Sequence, residues 1–493
     1  MPDKTDAVGK DESAGPRGRF PRVSLTRTGW LIAATLSITT ALWVAGRMDE
    51  ITGAGLWPWR GPSQLVMLWS AALASLAMLS VVRAHALEPL FGGLDEAVRL
   101  HRKLGLAALI MLVIHVVLLA ADAVAQGASL VAVLVPMGSG DQRSMDILVF
   151  YVLIGLGILA YDRRLRHERW LVLHRVIGVL FLFGTLHAAM QPGTIFQYEP
   201  LRTWIVILLL VGAIAWIYRV LLFGRFGPRY RYQVESVVAR GAQTVDLVLR
   251  PLERRMMYEP GTFVFIAVPR FKGKEAELHP FSISSSPVQQ HLRVSIRQVG
   301  DFTRQISSLS LGEDNPEYWK ARRPGKFHSI SALRGADVDV YGPFGGFTPF
   351  RLQQHQCIVW IGTGIGITPF LSMLSFERSS LDLRRIVLYY VARGMDDAVY
   401  DREIRASCSR AGFAVDYVLW LTSEHGRLTA KRIAADVERD DYAVMLCGSM
   451  GFVDSFTAQF RALGLPRERI ITEELQFRRG PEVPARPRST KSE

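Results

Sequence analysis

Cysteine is scarce in this chain. Its 493 residues include three, Cys357, Cys408 and Cys447, and all three lie in the second half. We therefore expect no disulfide framework, and we expect the second half to be cytosolic. The sequence also has no EF-hand loop, which argues against Ca²⁺ activation of that type.

Acidic residues are in deficit as well: 45 Asp and Glu stand against 58 Lys and Arg, a formal net charge of +13. A nucleic-acid partner is one explanation of such a charge. The arginines, however, cluster in short loops between apolar segments, as in the cytosolic loops of membrane proteins. We therefore expect membrane lipid, and no nucleic acid, as a partner. Residues 1–24 are polar and rich in Gly, Pro and charge, which predicts a disordered cytosolic leader.

Long apolar runs dominate the first half. Six segments approach the roughly 20 residues that cross a hydrocarbon core of about 30 Å. They are residues 29–46, 63–82, 101–121, 146–161, 174–190 and 203–223. A further run, 129–135, is too short to span and is interpreted as a re-entrant or interfacial piece. Among the loops that join these segments, the loops before the third and fifth segments carry most of the arginines. This distribution places these two loops and both termini in the cytosol.

Two of these segments carry histidines: His101 and His115 in the third, His174 and His187 in the fifth. Polar side chains in hydrocarbon are costly and usually functional. Because both segments run outward, His101 and His174 share the cytosolic level, and the other two lie nearer the far side. Neutral imidazole is an axial ligand of haem iron. We therefore predict an inner haem held by His101 and His174 and an outer haem held by His115 and His187.

The spacings of the two histidine pairs are unequal. Fourteen residues rise about 21 Å and return to within about 40° of the same helix face, whereas thirteen leave the histidines about 140° apart. The second spacing needs a distortion near Gly178 or Gly184, or haems that enter from different sides. The alternative is interfacial histidines at loop ends. It suits the inner pair but not the outer pair, which lies amid apolar residues.

The pattern changes in the second half. From about residue 229, short alternating runs separated by turn residues predict an antiparallel β-barrel. After about residue 352, apolar strands alternate with helical stretches, which predicts an α/β nucleotide-binding unit with a parallel sheet. The predicted fold class is a multidomain membrane protein with a six-helix transmembrane bundle, the barrel and the α/β domain. The predicted domains are 1–24, 25–224, 225–350 and 351–477, followed by a basic tail, 478–493.

Two motifs in the predicted barrel suit a flavin. In HPFSISS at 279–285, Phe281 offers an aromatic face and the hydroxyls can hydrogen-bond a flavin ring or phosphate. Arg297 precedes a glycine turn and a predicted helix start, and such an arrangement binds pyrophosphate. Each motif alone also fits a plainer interpretation, namely a strand end with turn-forming serines or a surface arginine before a capped helix.

A glycine-rich stretch, GTGIGITP at 362–369, follows an apolar run in the α/β region. Its glycines let backbone N–H groups approach a pyrophosphate, and Pro369 suits the first turn of a helix. Arg393 ends the next apolar run and can pair with a ribose 2′-phosphate, which favours NADPH over NADH. Cys447 and Gly448 end a third run, where the nicotinamide is expected. A solvated arginine and a buried structural cysteine are the alternatives.

These motifs, together with GPFGG at 342–346 and CGS at 447–449, resemble the ferredoxin–NADP reductase-type flavoprotein module. With the six preceding apolar segments and their histidines, residues 25–477 resemble the NADPH oxidase and ferric reductase superfamily. The resemblance implies FAD against the barrel, at His279, Pro280, Phe281, Ser282, Ser284, Ser285, Arg297 and Thr303. It implies NADPH, or NADH, against the α/β unit, at Gly362, Gly364, Gly366, Thr368, Pro369, Arg393, Cys447 and Gly448.

The resemblance also assigns catalytic roles and a function. Phe281, Cys447 and Phe477 are the expected catalytic residues, with Phe477 as the aromatic that covers the flavin face. Two features depart from the family: a basic tail follows Phe477, and residues 311–335 are expected to form an insertion or long loop. The implied function is that of an enzyme in a bacterial-type cell membrane, which passes electrons from cytosolic NADPH through FAD and two b-type haems to the far side.

The electron acceptor is left open by the sequence. Oxygen, giving superoxide, is the first expectation because the histidine spacing is most similar to that of the oxidases. A ferric chelate is the second, and an electron-relay subunit for a quinone or a periplasmic protein is the third. A haem-binding sensor conflicts with the intact nucleotide motifs. The sequence requires no protein partner.

Overall fold

The first half of the chain is helical. The computed structural model describes residues 27–48, 59–84, 86–136, 142–161, 165, 167–190, 197–241, 243–268, 277–297, 335–352, 354–376, 385–410, 414–437 and 441–473. The long helices are Arg27–Ala45 (α1), Arg60–Ser80 (α2), Leu94–Ala125 (α4), Gln142–Tyr161 (α6), His167–Met190 (α7) and Glu199–Ile217 (α8). Two short helices, Glu88–Phe91 (α3) and Leu130–Leu134 (α5), lie between them.

Each of the six predicted apolar segments overlaps one long helix. Within the described ranges, five helices are long and apolar enough to cross a membrane: α1, α2, α4, residues Ser144–Tyr161 of α6, and the stretch Glu199–Phe226 that begins with α8. The fifth predicted segment corresponds to α7, which is not among these five. The apolar helices indicate a membrane protein.

The starts of α4 and α7 differ from the prediction. The sequence predicts apolar segments that begin at His101 and His174, but the helices begin seven residues earlier, at Leu94 and His167. Charged residues before the apolar run therefore continue the helix. In α4 the first turn carries Asp95, which suits the positive end of the helix dipole. Both histidines consequently lie about two turns inside their helices.

Helix α2 is the most enclosed of the candidate spans. About two-thirds of its apolar window, 67%, is buried, against 11–28% in the others. Its buried face is rich in small residues, which let neighbouring helices approach closely. Ser70 Oγ on this face donates a hydrogen bond to the carbonyl oxygen of Ala108 in α4, at 2.8 Å. The helix that carries His101 and His115 is thus fixed against α2.

The next part of the chain is an antiparallel sheet. After α8 the helix continues through a π-helical turn, Tyr218–Leu222, to a last helical turn, Phe223–Phe226 (α9). The strands follow at once: Arg229–Ala239 (β1), Thr244–Pro251 (β2), Phe263–Val268 (β3), Glu277–Ser282 (β4), Leu292–Arg297 (β5) and Asp337–Phe344 (β6). Their order is β4-β3-β6-β1-β2-β5. A bridge between Ile283 and Val294 links the segment after β4 to β5, so the two edges of the sheet approach each other.

The last part is an α/β unit with a parallel sheet, as predicted. Its strands are Cys357–Thr363 (β7), Arg385–Ala392 (β8), Val415–Leu421 (β9), Tyr442–Cys447 (β10) and Ile470–Glu473 (β11), in the order β11-β10-β7-β8-β9. Its helices are Thr368–Leu374 (α10), Asp401–Cys408 (α11), Thr422–His425 (α12), Ala430–Val437 (α13) and Met450–Ala462 (α14). Apolar layers cover both sheet faces, one built around Trp360 and Phe370 and the other around Tyr389 and Phe460.

The antiparallel sheet packs directly on the helical half. The backbone N–H of Gly345, just after β6, donates to Glu88 Oε1 in α3 at 3.2 Å. Arg351 Nη1 donates to the carbonyl oxygen of Gly92 at 3.2 Å. Phe223 packs with strand aromatics of β3 and β6 in one buried cluster. The end of α4 nearest His101 therefore lies against the sheet.

Candidate functional site

Two histidines from different helices face each other. His101 on α4 and His174 on α7 approach to 3.4 Å between their Nε2 atoms. His101 Nδ1 lies 2.8 Å from the carbonyl oxygen of Ala77. A carbonyl oxygen only accepts, so Nδ1 carries the proton and Nε2 presents its lone pair to His174. Imidazole nitrogens are ligands of haem iron. The pair therefore fits the binding of one iron by nitrogens from two helices.

His174 is oriented in another way. Its ring stacks on Trp170, one helical turn earlier, with ring centroids 4.9 Å apart and an angle of 8° between the planes. Trp170 Nε1 donates to the carbonyl oxygen of Ala160 at 2.8 Å. His174 Nδ1 is buried and has no hydrogen-bond partner within the part of the chain that the structure describes. Stacking, rather than a hydrogen bond, thus sets the angle of this ring.

His115 lies further along α4. Its Nδ1 is 2.8 Å from the carbonyl oxygen of Ser63 and 2.9 Å from Ser63 Oγ, so it donates to Ser63 and leaves Nε2 free for a metal. The backbone of His187 belongs to α7, but its side chain lies outside the described residues. The predicted outer pair is therefore not brought together by the described atoms. The residue pattern did not predict the contact with Ser63.

A second site lies where the antiparallel sheet meets the α/β unit. Ser282 Oγ, at the end of β4, donates to Glu473 Oε2 at 2.9 Å. Cys447 Sγ, at the end of β10, donates to the same oxygen at 3.3 Å. Strand β11 pairs with β10 so that Glu473 lies directly beside Cys447. The structure thus brings together the predicted flavin residue Ser282 and the predicted nicotinamide residue Cys447 through a carboxyl group that the motifs did not predict.

Glu473 is a buried acid with 2% of its surface exposed. The pKa of this carboxyl is raised to about 8, mainly by burial; the hydrogen bonds from Ser282 and Cys447 oppose the rise, and the nearby charge of Asp95 adds to it. The acid is therefore mostly protonated at neutral pH. Since both donors use Oε2, its own proton belongs on Oε1. Burial, together with Glu473, also raises the pKa of the Cys447 thiol well above its ordinary value, so Cys447 remains a hydrogen-bond donor.

The predicted flavin motif occupies β4 and the segment after it. His279 to Ser282 are in the strand, where they pair with β3, and Phe281 is half-buried against the core of the sheet. The Ser284 and Ser285 hydroxyls are buried in the protein's own hydrogen bonds, with Arg293 Nε and with the Arg293 backbone N–H respectively. Contact of these groups with a flavin stays a prediction.

The glycine-rich loop has the predicted context. Strand β7 leads into a single 3₁₀ turn, Gly364–Ile367, and α10 follows with Pro369 in its first turn. Gly364 has φ +55°, a conformation that favours glycine. A Cβ on Gly366 would lie 2.5 Å from the carbonyl oxygen of Cys447, so glycine is needed for the loop to pack on the CGS segment.

Arg297 is placed at this loop. Its Nη1 lies 3.2 Å from where a Cβ on Gly364 would be. The residue that was predicted to bind the flavin pyrophosphate therefore also faces the nucleotide loop. Thr368 Oγ1 donates to the carbonyl oxygen of Ile365 within the loop at 2.9 Å.

Arg393 follows β8 and is exposed. Thr303, Phe477 and the predicted insertion up to residue 334 lie outside the described residues.

Two family models match the chain. A ferric reductase like transmembrane component matches residues 67–185, and an FAD-binding domain matches residues 229–346. Both halves of the chain are thus similar to members of the NADPH oxidase and ferric reductase superfamily. The first match covers His101, His115 and His174, and the second covers β1 to β6, including Ser282.

The relatives that the chain matches are distant. NADPH oxidase 1 of Mus musculus is 27% identical over 183 residues, 35% of this chain and 27% of that protein. The flavohemoprotein of Vibrio cholerae serotype O1 is 23% identical over 249 residues, 49% of this chain and 56% of that protein. A solved flavohemoglobin from Malassezia yamatoensis, with bound FAD and heme, has a TM-score of 0.45 and 16% identity, covering 91% of this chain and 98% of that one. The chain thus matches about a quarter of the length of the NADPH oxidase.

Proposed function

We propose that this protein is an oxidoreductase that carries electrons across a membrane, from NADPH through FAD and two b-type haems to an acceptor on the far side. The observation that carries the proposal is the facing pair His101 and His174, on helices that also hold His115 and His187. The same chain contains the bridge between Ser282 and Cys447 through Glu473, at the edge of an FAD-binding domain.

The proposal includes the finer architecture. Helix α7 is the sixth span, the antiparallel sheet closes into a barrel through the edge that Ile283 and Val294 bridge, and α5 lies at the membrane interface. Both termini face the cytosol of a bacterial-type cell membrane, and the domains follow the predicted boundaries. The basic loops before α4 and α7 support this orientation.

At the junction of sheet and α/β unit, this chain's residues would hold the two nucleotides. FAD accepts hydride and releases electrons one at a time, which is the chemistry that it supplies when bound. The β4 motif and Arg297 would hold it. The glycine-rich loop would hold the NADPH pyrophosphate, and exposed Arg393 the 2′-phosphate. Cys447 stays a thiol beside the nicotinamide site, and Glu473 holds a proton on Oε1 where the two sites meet.

In the helical half, the carbonyls of Ala77 and Ser63 do the orienting. Each accepts a hydrogen bond from the Nδ1–H of a histidine, which fixes the tautomer and would leave Nε2 to bind iron. Haem supplies one-electron transfer when bound. Within the described residues there is no group of three or more His, Cys, Asp or Glu side chains suited to a metal ion. The facing histidines His101 and His174 would hold a haem in this half.

The proposed acceptor is oxygen, giving superoxide, because relatives include NADPH oxidases. The test is turnover of purified protein, loaded with haem and FAD, on NADPH in the presence of oxygen or of a ferric chelate. We expect superoxide, measured by its dismutase-sensitive signal. Oxygen-independent Fe²⁺ production without superoxide would instead support a ferric-chelate reductase.

A ferric chelate is the second candidate because the helical half matches a ferric reductase like transmembrane component. A relay subunit for a quinone or a periplasmic protein is the third. Failure of the purified protein to reduce either small acceptor, despite haem reduction by NADPH, would favour the relay.

A further inference from the structure

A buried polar network crosses from the antiparallel sheet to the α/β unit. Its centre is Asp246 on β2, which is fully buried. Asp246 Oδ1 accepts from Ser295 Oγ at 2.6 Å and from the hydroxyl of Tyr400 at 2.7 Å. Its Oδ2 accepts from Arg240 Nε at 2.7 Å. Tyr400 immediately precedes α11, so one carboxylate joins two parts of the chain.

A second carboxylate completes the network. Glu403 on α11 accepts from Arg293 Nη2 on β5 at 2.6 Å, and it lies 3.4 Å from Arg240 Nη2. Arg293 Nη1 is also 3.7 Å from Asp246 Oδ2. The guanidinium groups of Arg240 and Arg293 thus alternate with two carboxylates. Of these carboxylates, Asp246 belongs to the antiparallel sheet and Glu403 belongs to the α/β unit. The exposed fractions of the Arg293 and Glu403 side chains, 17% and 27%, mean that solvent screens this contact less than a surface pair.

The network reaches the predicted flavin residues Ser284 and Ser285, which we call the flavin segment. Arg293 donates from Nε to Ser284 Oγ at 3.1 Å and from Nη2 to the carbonyl oxygen of Ser284 at 2.9 Å. The α/β unit also holds the next residue, because Ser372 Oγ on α10 donates to the carbonyl oxygen of Ser285 at 2.6 Å. These two residues follow Ser282 in the chain by two and three positions. The flavin segment is therefore fixed to the α/β unit on both sides.

We infer that Arg293 and Glu403 are positioning residues for hydride transfer. Their ion pair holds the α/β unit at a fixed distance from the flavin segment. The inference rests on the proposed function. Hydride transfer requires the reacting atoms to be placed closely, and a misplacement of 1 Å costs about 10²-fold in rate. An ion pair that is partly shielded from water, and that shares a network with the flavin segment, supplies that constraint.

The test uses the full-length protein loaded with FAD and haem, under anaerobic conditions. Glu403→Gln removes the charge, and Glu403→Asp keeps it on a shorter side chain. At saturating NADPH we expect Glu403→Gln to slow flavin bleaching in stopped flow by about 10- to 10²-fold, with Glu403→Asp between it and the wild type. The long-wavelength charge-transfer absorbance of NADPH against FAD should weaken, while the Kd for NADPH stays the same. Haem reduction after chemical reduction of the flavin should be unchanged.

The matched control is Asp416→Asn, which removes an acid from the ion pair with Arg385 inside the α/β unit. It should bleach at the wild-type rate. Tyr400→Phe, which leaves Asp246 two donors, provides a milder second variant and should slow bleaching less than Glu403→Gln. Wild-type bleaching in Glu403→Gln overturns the inference, as does an equal loss in the control or loss of FAD from the variant. If NADPH fails to bleach the wild-type flavin, the proposed function falls and the inference with it.

Discussion

The Nε2 atoms of His101 and His174 face each other at 3.4 Å. The two residues lie on α4 and α7, which are not consecutive helices, and neither histidine is the first residue of its helix. His101 is held by the carbonyl of Ala77, and His174 is held by the ring of Trp170. His101 therefore has a fixed tautomer, and His174 has a fixed plane. This asymmetry makes the two histidines separately testable.

Replacing His174 by alanine should remove the proposed inner haem and leave the outer one. The reason is that only one of the two imidazoles that would hold this haem remains. The measurement is the ratio of haem to FAD in the purified protein, by pyridine haemochromogen and flavin absorbance. His291→Ala, at an exposed pair with Glu235 on the sheet, is the control and should keep the wild-type ratio. Retention of all haem in His174→Ala would show that the ligand assignment is wrong.

Trp170→Leu should alter the inner haem without releasing it. Stacked aromatic pairs contribute about 0.5–1.5 kcal/mol. A difference of that size between the oxidised and reduced states shifts the potential of a one-electron couple by about 20–65 mV. We expect a changed midpoint potential in a spectroscopic redox titration and a broader low-spin signal in electron paramagnetic resonance. Trp30→Leu, at an exposed position of α1, is the control. An unchanged potential in Trp170→Leu would contradict the orienting role of the stack.

The sequence predicted the membrane histidines because imidazole in an apolar run is conspicuous, but it did not predict what orients them. The Nδ1 partners of His101 and His115 are backbone carbonyls, and a carbonyl leaves no mark in the residue pattern. Similarly, the helix starts at Leu94 and His167 were missed because the helical hydrogen bonding of the backbone begins before the apolar run does.

The sequence missed Glu473 for a different reason. Cys447 and Ser282 were predicted from motifs, each at a strand end. Glu473 becomes their common partner because β11 lies beside β10, an adjacency that depends on strand order across the sheet and not on chain position. The predicted glycine-rich loop was easier, since its strand, turn and helix are consecutive in the chain.

Arg393→Ala should lower the preference for NADPH over NADH. A hydrogen bond to a charged group contributes about 1.5–3 kcal/mol, so KM for NADPH should rise by about 10- to 10²-fold while KM for NADH stays constant. Steady-state kinetics with both nucleotides measure this. Arg410→Ala, exposed on the α/β unit after α11, is the control. Equal changes for the two nucleotides would remove Arg393 from the 2′-phosphate site.

Glu473 should make the folded protein less stable as pH rises. Burial raises the pKa of the folded carboxyl to about 8 from its ordinary 4.5. A group with a raised folded pKa stabilises the fold fully below its unfolded pKa, and that contribution is lost as pH rises through the folded pKa. The loss therefore extends from about pH 4.5 to about pH 8. Glu473→Gln does not titrate, so its Tm should fall less across this window than that of the wild type.

The same variant separates stability from chemistry. The amide side chain of Glu473→Gln would keep an acceptor oxygen for Ser282 and Cys447 but hold no transferable proton, so turnover should fall by about 10²-fold, in the range of general acid–base catalysis. Thermal unfolding followed by flavin fluorescence, and NADPH turnover over the same pH series, measure the two effects. Glu424→Gln, exposed after β9, is the control and should change neither. If Glu473→Gln shows the wild-type pH dependence of Tm, the carboxyl does not titrate as a buried acid. If its turnover is normal, the proton on Oε1 has no part in the reaction.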